Sequence, residues 1–277
     1  GIPEARAYVI SVIADVVRRY DIDAVHMDDY FYPYPVNGHP FVQDAKTYAK
    51  YGNGMSLGDW RRNNVSLFIS LLNTEIKHIK PTVKLGISPF GVWRNKSTDP
   101  VRGSDTHGGV ENYDDLFADV VLWMQKGWID YLMPQLYWEH ASHAGSFGVL
   151  MPWWYDHCYQ RGMYYGLGLY RMLNVHKGPW ASEHELMWQI RDIRQHCPNT
   201  GWCFFSATCL DKVTPRVKDS MQYDENKYPA LVPTMPWLDS IPPAPPVVKT
   251  EVSATGVVLK WTEANPQKEP IRYVVYR

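Results

Sequence analysis

DIDAVHMDDYFYPYP, residues 21–35, is the stretch on which the fold turns. Ile22, Ala24, Val25 and Met27 make an apolar run of strand length. It ends in two adjacent carboxylates, Asp28 and Asp29, and four rings follow at once: Tyr30, Phe31, Tyr32 and Tyr34. An apolar strand with acids at its carboxyl end, opening into an aromatic loop, is how a β/α enzyme presents a catalytic group beside a surface on which sugars stack. Side chains alternate along a strand, so Ala24, His26 and Asp28 share one face and Val25, Met27 and Asp29 the other. Taken alone, an Asp–Asp pair reads first as a loop cap and a solvated strand end. The rest of the chain decides whether that bland reading survives.

Working outward, residues 4–20 carry Tyr8, Val9, Val12, Ile13, Val16, Val17 and Tyr20 at helical spacing, with Pro3 near the start. After the long loop behind residue 35, Asp59 is expected to cap a helix over 60–80, with Pro81 just beyond its end. The unit then repeats. VKLGIS (83–88) predicts a strand and 113–126 a helix stopped by Gly127. WIDYLMPQLYWE (128–139) predicts a third strand, followed by a helix near 147–161 ended by Gly162. MYYGLGLY (163–170) is the fourth strand; its helix opens on a capping box, Ser182 with Glu185, and runs to Cys197. GWCFFSA (201–207) is the fifth strand.

Strands alternating with helices predict parallel βαβ units. Helix-to-strand connections are short and strand-to-helix loops long, which is the asymmetry of a barrel's active face. No GxGxxG follows any strand, which argues against a doubly wound nucleotide-binding sheet. The expected class is therefore α/β, a (β/α)8 TIM-barrel type. Five units do not close eight, so three units are expected ahead of Gly1, and the open edges predict self-association or cover by residues 209–246.

The boundary is placed at 240. Residues 228–246 contain seven prolines and read as a semi-rigid linker. From 241 to 277 the chain switches to β alternation, with Val257, Leu259 and Trp261 on one face and RYVVYR as a further strand. This all-β fragment resembles the opening of a fibronectin type III module.

A net charge of −1 and the lack of any Lys/Arg run exclude a nucleic-acid partner. The aromatic balance is unusual, with 12 Trp and 19 Tyr against 8 Phe; amphipathic rings in that excess suit carbohydrate faces. Cys158, Cys197, Cys203 and Cys209 show neither CxxC nor zinc spacing and leave the disulfide state open. No apolar run reaches the ~18 residues of a membrane span.

Counting by twos, Met133, Gln135, Tyr137 and Glu139 share a strand face, with Glu139 at the carboxyl end. Glycoside hydrolysis needs two carboxyl groups across one bond, and Asp28 with Glu139 supply them, Asp29 being the alternative to Asp28. Around them Gln135 and Tyr137 offer hydrogen bonds, Trp93, Trp138 and Tyr170 stacking faces, and Arg94 a fork for a hydroxyl or a carboxylate. His26, Tyr30 and Tyr32 complete the expected substrate surface. A metal-dependent polysaccharide deacetylase, drawing on His26, Asp28, Asp29, His140 and His143, is the competing chemistry. The EHASH spacing and the absence of TFDDG count against it, so neither a metal nor another cofactor is expected.

DIDAVHMDDYFYPYP, VKLGISPFGVWRN, WIDYLMPQLYWE and MYYGLGLYR together resemble glycosyl-hydrolase-like family ten, over residues 1 to about 240. The resemblance implies a barrel whose strands four to eight are those seen here. It also implies a secreted, periplasmic or outer-surface enzyme acting on polysaccharide, such as the glycan strands of peptidoglycan. VHMDD is in addition similar to a strand-four signature of the α-amylase superfamily, with His26 where Arg stands, which implies Asp28 as nucleophile and Glu139 as acid/base. A catalytically silent carbohydrate-binding scaffold is the alternative function.

Overall fold

The strand at the head of the chain forms at Ala24–Met27 (β1) and founds a sheet with Lys84–Ile87 (β2), Tyr131–Leu132 (β3), Gln135–Leu136 (β4), Gly162–Leu167 (β5) and Gly201–Phe204 (β6). In this computed structural model residues 1–175, 177–182, 184–241, 244–262, 273 and 275 are described. β1 pairs with β2, β2 with β3, both β3 and β4 with β5, and β5 with β6, every pair parallel. Neighbours in the sheet thus follow chain order, as right-handed βαβ units require. The single strand expected over 128–139 is two short ones. Pro134 has no N–H to give to a ladder, and the chain breaks there before resuming as β4.

Helices Pro3–Arg19 (α1), Ala45–Tyr51 (α2), Leu57–Ile79 (α3), Val120–Gln125 (α4), Phe147–Asp156 (α5), Arg171–Asn174 (α6), His184–His196 (α7), Ala207–Leu210 (α8) and Pro215–Asp219 (α9) complete this unit. Their boundaries correct several expectations. The cap of α3 is Ser56 rather than Asp59: the Ser56 Oγ accepts from the Asp59 N–H and donates to its carboxylate. α4 is only a turn and a half long, because Phe117 takes a left-handed φ of 52° and Asp119 starts the helix afresh. α5 ends at Asp156, with Tyr159 and Gln160 left-handed behind it, and Gly162 opens β5 rather than closing the helix.

Alternate positions of the sheet divide cleanly. Leu85, Ile87, Leu132, Leu136, Met163, Tyr165 and Leu167 are buried in the core with Val17, Ile69, Leu72 and Ile76 of α1 and α3. Burial of each such aliphatic side chain contributes ~1.5–3 kcal/mol. The opposite parity carries rings. His26 stacks on Tyr131 at 5.7 Å, and Tyr131 meets Tyr164 edge-on at 5.6 Å. The Tyr131 ring lies so close over Gly86 that a Cβ there would come within 1.9 Å of it. Only glycine on β2 admits that ring.

The chain divides at 227/228. In the second unit Val247–Ser253 (β7) pairs antiparallel with Gly256–Thr262 (β8). The face expected to carry Val257, Leu259 and Trp261 is exposed. RYVVYR, at 272–277, lies outside the described residues apart from Tyr273 and Val275. Among the described residues no helix is long and apolar enough to cross a membrane, and all four cysteines are free thiols.

Candidate active site

Asp28 stands at the carboxyl end of β1, exposed, where the chain leaves the sheet. Its Oδ1 accepts from the Gln135 side-chain amide at 2.8 Å and from the Asp29 N–H at 2.9 Å. The same Gln135 nitrogen donates to the Ser88 carbonyl at 3.0 Å, and the Ser88 hydroxyl to the Met133 carbonyl at 2.9 Å. One amide therefore ties the rims of β1, β2 and β4 around Asp28. Two residues back along the strand, His26 brings Nδ1 to 3.1 Å from the Tyr131 hydroxyl. Burial lowers the His26 pKa, against the opposing charge of Asp28. Burial first, then the charge of Asp28, pushes the Tyr137 hydroxyl well above its ordinary value, so it stays a neutral donor.

Asp29 turns the other way and is buried. The Tyr34 hydroxyl donates to its Oδ2. Burial raises the Asp29 pKa, the Tyr34 hydrogen bond opposes this, and Asp28 adds to it. Tyr34 meets Phe90 edge-on at 6.2 Å, and Phe90 meets Trp138 at 5.5 Å. A strip of rings thus runs from Asp29 to the residue before Glu139.

Glu139 is half-buried, and its Oε2 accepts from the Trp180 indole N–H at 2.9 Å. Trp180 lies in a short 3-10 turn, Pro179–Ala181, that precedes α7. Its position in the sequence, alone in a loop without periodicity, gave no sign of this. Glu185 likewise does not close a box on Ser182. Its carboxylate reaches His140, while the Ser182 hydroxyl accepts from the His184 N–H at 3.2 Å.

The remaining candidates separate. Tyr30 is 81% exposed and open. Tyr170 packs edge-on to Tyr137 at 5.7 Å, with Phe205 beside both. Trp138 is wedged against Gly91 and Gly145, where a Cβ would touch the indole. Tyr32 is committed to packing against Phe117 and Phe41 under the Arg61 guanidinium. Two expectations are corrected. Trp93 is fully buried in the core and offers no stacking face. Arg94 is spent on Asp114 at 2.7 Å and Asp99 at 3.2 Å. The imagined metal ligands also go to different partners. His26 binds Tyr131, His143 stacks on His107, and both ring nitrogens of His140 face carboxylates. Among the described residues no group of three or more His, Cys, Asp or Glu is set to hold a metal.

A mostly parallel α/β sheet with carboxylates and rings on its carboxyl rim is the frame of a TIM-barrel-like glycosyl hydrolase domain. The chain belongs to the family Glycosyl hydrolase-like 10, whose family model matches residues 1–184. It is 44% identical over 285 residues to Glycosyl hydrolase YngK of Bacillus subtilis (strain 168), covering 100% of this chain and 56% of that protein. It is 42% identical over 237 residues to Glycosyl hydrolase DigH of Escherichia coli (strain K12), covering 82% of this chain and 52% of that protein. The chain spans about half the length of the curated relatives it matches.

Proposed function

We propose that this chain carries the catalytic carboxyl groups of a retaining glycoside hydrolase that cleaves O-glycosidic bonds in a bacterial cell-wall glycan or a related polysaccharide. The observation that carries the reading is the pair of strand-end carboxylates: Asp28 on β1 is exposed and cradled by Gln135, and Glu139 follows β4 and is held by Trp180. In this reading Glu139 protonates the leaving oxygen as Asp28 attacks the anomeric carbon. Glu139 then takes a proton from the water that releases the sugar. Tyr137 and Gln135 hold hydroxyl groups of the sugar beside Asp28, and Tyr30 and Tyr170 present rings to its C–H faces.

Turnover of glycan strands freed of peptide by the full-length protein, followed by mass spectrometry for cleavage and by proton NMR for the anomer released, tests the proposal. Cleavage with retained anomeric configuration is expected, lost in both Asp28→Asn and Glu139→Gln. A silent carbohydrate-binding scaffold is the second reading, favoured by the row of rings on the open parity of the sheet. Binding of the same glycans without turnover would decide for it.

A further inference from the structure

We infer that His140, held as an imidazolium between Glu185 and Asp192, is a positioning residue that pins Glu139 against Trp180; the inference rests on reading Glu139 as one of the two catalytic carboxyl groups. The side chain after Glu139 is clamped at both ring nitrogens, Nδ1 at 2.9 Å from Glu185 Oε1 and Nε2 at 2.8 Å from Asp192 Oδ2. The His140 backbone N–H donates to the same Glu185 oxygen at 2.9 Å. Glu185 is almost wholly buried and is braced by Gln189, whose side-chain amide also donates to the Trp138 carbonyl at 3.0 Å. α7 therefore grips the main chain on either side of Glu139.

From the other side, the first turn of α5 closes the loop. The Phe147 N–H donates to the Glu139 carbonyl at 3.1 Å and the Gly148 N–H to the His140 carbonyl at 3.2 Å. The Ser146 hydroxyl donates to that same His140 carbonyl. Trp180, which holds the Glu139 carboxylate, precedes α7 directly. The carboxylate, its backbone and the clamp thus converge on one segment of chain.

Only the doubly protonated ring satisfies both acids. A neutral imidazole donates through one nitrogen and turns a lone pair toward the other carboxylate. The charged groups facing His140 are Glu185 and Asp192 from α7; from α5 it meets the Phe147 ring edge-on at 5.1 Å. The hydrogen bond to Glu185 holds the imidazole above its ordinary value, against burial, with Asp192 adding to the effect. Although burial pushes the other way, His140 and Gln189 hold Glu185 below the usual carboxylate range, so both partners favour the ionised pair. With the folded value raised, the contribution of the clamp is complete below the unfolded value near ~6.5 and is lost as pH rises through the folded one.

The test is an NMR titration of the full-length protein from about pH 5 to 10, with 15N-labelled tryptophan and 13C-labelled histidine; the range brackets a raised histidine. Trp180→Phe and His140→Gln assign the two signals. The Trp180 indole N–H is expected to follow the His140 titration. In Asp192→Asn, at a partly exposed position, both midpoints should fall together by about one pH unit. The alkaline limb of kcat/KM on peptide-free glycan strands should fall with them. A Trp180 signal that stays flat while His140 titrates overturns the inference, as does an Asp192→Asn shift of His140 that leaves Trp180 unmoved. Full turnover in Glu139→Gln would instead sink the catalytic reading, and it would do so with the NMR coupling intact.

Discussion

The carboxylates after β1 and the carboxylate after β4 are held in different ways. Asp29 finds its support nearby, and Asp28 part of it. Asp28 takes the N–H of the next residue beside the amide of Gln135 from 107 residues on, and Asp29 takes a hydroxyl from five residues on, Tyr34. Glu139 and the loop around it are held from far away, by Trp180 at a separation of 41 residues and by Glu185 and Asp192 at 45 and 52 from His140. A carboxylate built by its own loop can be recognised in a single stretch of sequence, whereas one built by a distant helix cannot.

The sharpest way to break this contrast is to remove both acids in turn. Asp28→Asn and Glu139→Gln in the complete protein should each lower turnover by ~10²–10⁴-fold with glycan binding largely kept. Activity surviving Asp28→Asn but lost in Asp29→Asn would move the nucleophile to the buried acid and undo the assignment.

Next in size is the anchor of the β1 loop. Arg61 is buried at 3% exposure and forms paired hydrogen bonds to Asp44 at 2.8 and 2.7 Å, with a third to the Phe41 carbonyl. Its guanidinium also covers the Phe117 ring at 4.8 Å. Arg61→Met strands the Asp44 carboxylate in a half-closed site, and breaking such a pair costs about 3–5 kcal/mol. Urea unfolding should show this as a lowered midpoint with the slope unchanged.

The β4 side should respond in rate more than in stability. Trp180→Phe keeps an aromatic side chain, trims the buried indole to a single ring and removes the donor to Glu139. A side-chain hydrogen bond of this kind is worth about 0.5–1.5 kcal/mol net, and a tenfold fall in kcat with little change in KM is the expected effect. An unchanged pH profile in that variant would mean that Trp180 does not touch the working proton.

The same contrast explains what was legible in the sequence. β1, β2, β5 and β6 stood out because each is an apolar run beside a turn or a cap, and their parallel order followed from the helices between them. Two local signals are present in the sequence: Pro134, which splits β3 from β4, and Ser56, three residues before Asp59, which caps α3. Phe117 was not legible, since no residue type announces a left-handed phenylalanine. Nor were the fates of Trp93, Arg94 and Glu185. A tryptophan, an arginine and a glutamate near a rim look alike in sequence whether they meet a ligand, the core or a distant histidine. Only the tertiary contact separates these cases.

The smallest effect expected is also the one whose sign depends on pH. Tyr34→Phe removes the hydroxyl that donates to Asp29 and leaves the ring to pack on Phe90. Burial already raises the Asp29 pKa, so its ionised form is the costly one in the folded state. Such a group stabilises the fold fully below its unfolded value near ~3.9, and that advantage is lost as pH rises through the raised folded value. The Tyr34 donor offsets part of the cost of the charge. Without it the folded pKa climbs further and the loss at neutral pH grows by about 1 kcal/mol, while near the acid end, where Asp29 is largely protonated in the folded state of both proteins, the variant and the parent differ less. Urea midpoints at about pH 4 and pH 7 should therefore diverge, with the larger deficit at pH 7, across the range in which a raised aspartate ionises. Equal deficits at both values would mean that Asp29 carries no charge in the folded protein at neutral pH. It would then stand as a neutral structural acid at the end of β1.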